Sequence, residues 1–169
     1  MKIQIIGYSG SGKSTLAKKL GLHYNIPYLH LDNVQFYGDW EERTKEEQNA
    51  IVNKFLEENE NWVIDGNYSK VSEVRFEISD ITIFLNYNRF YCYRMCKQRY
   101  KLHKDSPRES CPCKEKLDKA FKKWILFEGR TKERKKKHLS NLNKTKGEKL
   151  IFKNRKQLNK WLTKIGINN

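Results

Sequence analysis

Proline and methionine are scarce, with 3 and 2 copies in 169 residues, and glycine adds only 9. Aromatic and branched residues recur along the whole chain, so the composition argues against disorder despite 33% charged residues. No apolar run approaches the roughly 20 residues of a membrane span. The first expected strand begins at Lys2, which leaves no room ahead of it for a signal peptide. These absences set the expectation of one cytoplasmic globular domain over residues 1–169. Four cysteines, at 92, 96, 111 and 113, then lie in a reducing compartment, where a disulfide framework is disfavoured.

Acidic residues are missing from one half. Residues 1–80 carry 9 Lys/Arg against 13 Asp/Glu, a net of −4. Residues 81–169 carry 26 against 7, a net of +19. A half that basic suits a polyanionic partner: nucleotide phosphates, RNA or DNA held through the basic C-terminal half, or an acidic partner. A lysine-rich solvated surface is the plainer reading of the lysines alone.

Hydrophobic periodicity gives alternating strands and helices. Residues 2–6 read as a buried strand. Leu16, Ala17, Leu20 and Tyr24 follow at helical spacing, and Pro27 ends that helix. Residues 28–31 form a second strand ending at Asp32, and 33–43 a loop rich in aromatics. Thr44 and Glu47 have capping-box spacing ahead of a helix with Ile51, Val52, Phe55 and Leu56. Residues 62–64 and 81–85 form further strands. A helix follows from about Arg89 to Tyr100, then an irregular basic stretch, then one helix over 116–140. Residues 149–152 suggest a fifth strand and 158–165 a closing helix. The expected fold is α/β: a three-layer arrangement with a five-stranded parallel sheet, helices on both faces and a small lid. Such sheets place their working loops at the strand C-termini, here after Gly7, Asp32, Asp65 and Asn86.

Gly7-Tyr8-Ser9-Gly10-Ser11-Gly12-Lys13-Ser14 fits the phosphate-loop pattern G-x-x-x-x-G-K-[ST] without mismatch. It also has the required context of a strand before and a helix after. Glycines let backbone amides point at phosphate oxygens, and the helix N-terminus adds a positive field. Nucleotide contacts are therefore expected from Gly7, Ser9, Gly10, Ser11, Gly12, Lys13, Ser14 and Thr15, with Lys13 on the β- and γ-phosphates. The Ser14 hydroxyl suits Mg²⁺, and the expected donor is ATP or GTP.

Asp65, at the end of the third strand, sits where a carboxylate would hold or orient Mg²⁺. Asp32 lies on the acceptor side, suited to binding a hydroxyl or taking its proton. Tyr37, Trp40, Asn67 and Tyr68 are the candidate acceptor contacts, within or just past an acceptor-side segment over 32–60. Arg94, Arg99, Arg130 and Arg134 flank an expected lid over 101–116 and are candidates for charge stabilisation in the transition state. Arg130 and Arg134, four apart, are expected to share a helix face. Cys92, Cys96, Cys111 and Cys113 are spaced CxxxC and CxC, which disfavours a structural zinc; Cys92 and Cys96 read as small apolar packing residues.

The phosphate loop, Asp65-Gly66 and the arginine-flanked lid resemble the nucleoside monophosphate kinase superfamily. The run Ile64-Asp65-Gly66-Asn67-Tyr68-Ser69, with His30-Leu31-Asp32, Cys111-Pro112, Leu117-Asp118 and Gly129-Arg130-Thr131, more closely resembles the adenylate-kinase-like DNA topology modulation (FlaR-like) proteins. That resemblance implies a five-stranded parallel sheet with a lid, ATP or GTP binding, and some effect on DNA topology. In adenylate kinases an arginine after the Asp-Gly pair holds the acceptor phosphate; Asn67-Tyr68-Ser69 stands here instead. Arg43 and Arg75 are the arginines left in the first 80 residues. A non-nucleotide hydroxyl acceptor is thus as credible as a nucleotide. Two other readings remain: a nucleotide-regulated DNA- or RNA-binding protein with little kinase activity, and a plain nucleotide hydrolase.

Overall fold

The computed structural model describes residues 1–68 and 70–167; Ser69, which closes the Ile64–Ser69 run, lies outside the described residues. The strands are β1 (Lys2–Gly7), β2 (Tyr28–His30), β3 (Phe36–Gly38), β4 (Glu41–Glu42), β5 (Trp62–Asp65), β6 (Ile81–Leu85) and β7 (Glu148–Phe152). The helices are α1 (Lys13–Tyr24), α2 (Leu31–Gln35), α3 (Lys45–Glu58), α4 (Val74–Glu77), α5 (Arg89–His103), α6 (Lys119–Leu126), α7 (Lys132–Lys144) and α8 (Arg155–Lys164). Five strands form one parallel sheet in the order β2-β5-β1-β6-β7. Among the described residues no helix is long and apolar enough to cross a membrane.

Alternation along β5 shows why the sheet is covered on both sides. Val63 packs with Ile3, Ile5, Leu16 and Leu20 in one apolar cluster. Its neighbours Trp62 and Ile64 turn the other way, into a second cluster with Leu31, Val34, Val52 and Val71. Successive strand residues point to opposite faces, so each face needs its own helices. The capping box is present: Thr44 Oγ1 accepts from Glu47 N at 3.2 Å, and Glu47 Oε2 accepts from Thr44 N at 2.8 Å.

Three segments differ from expectation. The second strand stops at His30, so Asp32 lies in the first turn of α2 rather than at a strand end. Residues 33–43 are not all loop. The chain runs out of α2 into a two-stranded antiparallel sheet, β3–β4, closed by Asp39 (φ 45°) and Trp40 (φ 67°). Two consecutive left-handed residues are what a type I′ hairpin demands, and a tryptophan there is strained. Finally, the helix expected over 116–140 is broken. Asp118 Oδ1 caps α6 by accepting from Phe121 N at 2.7 Å, and Thr131 Oγ1 caps α7 by accepting from Arg134 N at 3.3 Å. A 3₁₀ turn, Glu128–Arg130, fills the gap.

Candidate active site

The C-terminal ends of β1, β2 and β5 open into one cleft of about 620 Å³, within the range of small-molecule sites. Ser9, Gly10, Ser11, Gly12, Lys13, Ser14 and Thr15 line its floor. Gly7 lies just beneath, clamped at two points by Asn67: its N–H donates to Oδ1 at 2.9 Å and its carbonyl accepts from Nδ2 at 2.7 Å. Asn67, expected at the acceptor, thus uses its amide to hold the start of the phosphate loop, although it also lines the cleft.

Gly10 explains two of the cysteines. At φ 76°, a Cβ there would stand 2.3 Å from Cys92 O and 2.7 Å from Cys96 Sγ. The loop therefore rests directly on α5, and Cys92 and Cys96 are fully buried beneath it as small apolar residues. Cys113 Sγ instead accepts from Trp40 N at 3.2 Å. Among the described residues no group of three His, Cys, Asp or Glu side chains is placed to hold a metal.

Lys13 Nζ bonds to Tyr8 O at 3.2 Å, curled over the loop. Burial is the largest cause holding its pKa below the usual lysine value, with Asp32 and Asp65 opposing. Asp65 is 4% exposed; its carboxylate accepts from Ser14 Oγ at 2.9 Å and from His30 Nδ1. Register explains the histidine: His30 on β2 is the direct partner of Asp65 on β5. From the sequence, His30 is named only within the resembling His30-Leu31-Asp32 segment and is given no role at the site.

Oxygen donors at Ser14 and Asp65, side by side at the head of α1, fit Mg²⁺, which keeps several waters and takes only one or two protein ligands beside substrate phosphates.

Across the cleft, Asp32 Oδ1 accepts from Tyr68 Oη at 2.8 Å, and Oδ2 lies 3.4 Å from Arg108 Nη2. Burial, with Asp32 beside it, pushes the Tyr68 phenol far above its ordinary value, so it remains a donor. Arg108 comes from the segment between α5 and α6 and also binds Glu115 Oε1 through Nε at 2.8 Å. Arg99 Nε lies 2.8 Å from the same Oε1. Glu115 is nearly fully buried, so two guanidiniums and two carboxylates form one interlocked cluster. Neither Arg108 nor Glu115 was foreseen as a site residue. Trp40 ties this segment down through Nε1 to Lys114 O at 3.1 Å, and its ring meets Phe36 edge-on at 5.2 Å.

The remaining expected residues divide. Arg99 and Arg134 line the cleft, and Arg134 stacks over Trp124 at 4.1 Å. Arg94 does not line it: exposed, it lies over Tyr91 at 5.5 Å. Five residues along a helix is a turn of about 140° from the starting direction, so Arg94 and Arg99 diverge. Arg130 and Arg134 do not share a helix, because the Thr131 cap separates them. Arg130 stacks on Tyr8 at 3.7 Å and donates to Tyr87 O at 2.7 Å, at the rim of the phosphate loop. Tyr37 points away, donating to Glu47 on α3. Tyr8, Arg155, Lys137 and His138 line the cleft as well.

No family model matches the chain, and no curated protein matches it. Solved structures do. A shikimate kinase from Bacteroides thetaiotaomicron aligns at TM-score 0.56 and 18% identity, covering 98% of this chain and 96% of that one. An uncharacterized protein from Eubacterium ventriosum aligns at 0.52 and 17%, covering 98% of each. A deoxyadenosine kinase from M. mycoides, solved with dCMP and dCDP as products, aligns at 0.51 and 14%, covering 98% and 99%. At these identities the likeness is one of fold: the α/β fold of P-loop kinases.

Proposed function

We propose that this protein is a Mg²⁺-dependent phosphotransferase that moves the γ-phosphoryl group of ATP (or GTP) to a hydroxyl of a small acceptor. One observation carries the reading. A complete phosphate loop, with Ser14 hydrogen-bonded to Asp65, faces a second carboxylate, Asp32, across a single cleft. A bare nucleotide switch has no need of the second carboxylate or of the aromatic wall beside it. That two solved structures of the same fold are kinases supports the reading.

The loop amides and Lys13 bind the β- and γ-phosphates, and Lys13 is already partly withdrawn from water, which strengthens its pull on them. Ser14 and Asp65 would hold Mg²⁺, which would supply positive charge to offset that of the phosphates. Asp32 orients the acceptor hydroxyl and takes its proton. The acceptor oxygen then forms its bond to the γ-phosphorus as the bond to the bridging oxygen of the departing diphosphate breaks. Arg134 lies beside this path to offset charge on the transferring group, and Arg130 steadies Tyr8 at the loop. Residues 101–116 act as the lid, excluding water so that hydrolysis does not compete. The resemblance to DNA topology modulation proteins fits this scheme only indirectly, through a metabolite or nucleotide product.

ADP release with and without candidate acceptors tests the reading. Acceptor-dependent release in the parent, reduced roughly 100-fold or more in Lys13→Ala, is expected. Equal turnover and equal ATP affinity in that variant would sink it.

A further inference from the structure

The acceptor side of the cleft has almost no positive charge to spare. The stretch from Asp32 to Tyr68 lines it with Asp32, Phe36, Trp40, Gly66, Asn67 and Tyr68: one carboxylate, three aromatic rings and no cation. The two arginines of this half are used elsewhere. Arg43 Nη1 donates to the carbonyls of Asn33 and Val34 at 2.9 and 3.2 Å and its guanidinium lies over Tyr37 at 4.2 Å, outside the cleft. Arg75 is fully buried and donates to Gln4 Oε1 at 3.0 Å, Tyr68 O at 2.9 Å, Ser72 O at 3.2 Å and Val71 O. Neither lines the cleft.

Arg108 reaches the acceptor carboxylate from the other wall, but it brings no net charge. Arg99 and Arg108 face Glu115 and Asp32, two cations against two anions. An acceptor phosphate placed here would meet Asp32, and this four-residue cluster holds no unbalanced cation to offset it; Lys13, which also feels Asp32, sits over the phosphate loop on Tyr8 O, and Lys116, 5.5 Å over the Trp40 ring, lies outside the cleft lining. Like charges brought together in a partly desolvated pocket are strongly disfavoured.

From this cluster we infer that the acceptor is an uncharged hydroxyl compound with a ring face that can pack on an aromatic side chain, such as a nucleoside, cyclitol or sugar, and not a phosphate monoester. Its hydroxyl takes the place of Arg108 Nη2 on Asp32 Oδ2, the weaker of that carboxylate's two contacts at 3.4 Å. Its ring lies against the Phe36–Trp40 pair, which meets edge-on and lines the cleft with both members. Atoms balance as in any phosphoryl transfer: the hydroxyl loses its proton to Asp32, gains the phosphoryl group and releases ADP. The phosphate ester product then carries the charge the pocket disfavours, which promotes its departure. This inference rests on the phosphotransferase reading above.

The test uses matched pairs. Initial rates of ADP formation are measured with nucleosides, cyclitols and sugars, each beside its own phosphate monoester, for the parent and for Asp32→Asn. The neutral member of at least one pair is expected to stimulate turnover about tenfold more than its ester, and Asp32→Asn to lose that stimulation while keeping its ATP affinity. Stimulation by the esters alone overturns the inference but leaves the phosphotransferase standing. Stimulation by no member of any pair overturns both. Separating nucleosides from cyclitols and sugars within the panel names the ring.

Discussion

His138 makes the protein's acid stability a report on its candidate phosphate site. The imidazole packs against Tyr8 and Phe84, with ring centroids 5.2 Å from each. Burial first, then Lys13, Arg130, Arg134 and Lys137, push its pKa down to about 4 from 6.5. A group whose folded pKa is depressed binds its proton more readily when unfolded. The stability it contributes is therefore complete above pH 6.5, falls as the pH drops, and levels off below about pH 4. Integrating across that window, going from pH 7 to pH 5 removes up to about 2 kcal/mol, and partial exposure trims this to roughly 1–2 kcal/mol.

The assay is urea unfolding at several pH values for the parent and for His138→Gln. The variant keeps a neutral polar group, so its loss of ring packing is a constant offset. The parent's stability should fall more steeply between pH 7 and pH 5 than the variant's, with the two curves converging at the acid end. Glu47, Glu73 and Glu109 have lowered pKa values and titrate below this window in both proteins. ATP should flatten the parent's curve, because its phosphates offset the same four cations. Parallel curves for parent and variant would falsify the linkage.

Three further perturbations follow from named contacts. Gly10→Ala should cost about 2–4 kcal/mol, from a left-handed backbone and from overpacking against Cys92 O. Adding Cys96→Ala should not restore it, since the carbonyl stays at 2.3 Å; a thermal melt equal to the parent's refutes this. Arg75→Met should lower stability by about 3 kcal/mol, because Gln4 Oε1 and the carbonyls of Tyr68 and Val71 lose their donor in a dry interior. An unchanged urea midpoint would contradict it. Glu115→Gln leaves Arg99 and Arg108 one carboxylate short, so discrimination against phosphorylated acceptors should drop about tenfold in the matched-pair assay; unaltered discrimination speaks against the charge argument.

The nucleotide side was legible because its information is contiguous. Eight residues in a row, bounded by a strand and a helix, specify a loop whatever packs around it. The sheet was legible for a similar reason, as each buried strand is a short apolar run. The acceptor side is assembled from residues far apart in the chain. Arg108 meets Asp32 across 76 positions, and no local pattern announces that pairing. Tyr37 and Trp40 were expected to act together, yet Tyr37 sits mid-strand in β3 and points opposite to Phe36, as strand alternation requires. Recognising the hairpin would have shown this, but its turn is Asp-Trp rather than the usual glycine-bearing pair. The helix over 116–140 was read through two caps, Asp118 and Thr131, because no capping-box acid follows Thr131 at the third position.

The uneven charge of the sequence takes on a specific meaning in the cleft. Asp32 and Asp65 come from the acidic half, while Arg99, Arg108, Arg134, Lys137 and Arg155 come from the basic half. The cleft is where the two halves face each other, with Lys13 the one lining cation from the acidic side. On the proposed function, part of the +19 serves a triphosphate that needs cations on one wall, and part faces Glu115 and Asp32 on the other. The exposed lysines at 132, 135 and 136 on α7 are a different matter, since they line no part of the cleft. The charge assigned to the proposed reaction sits on arginines held by aromatic faces and buried carboxylates, whereas charge on exposed lysines is solvated and interchangeable. By that criterion the basic half is first a wall of the candidate active site, and a nucleic-acid surface would have to be built from the lysines that remain.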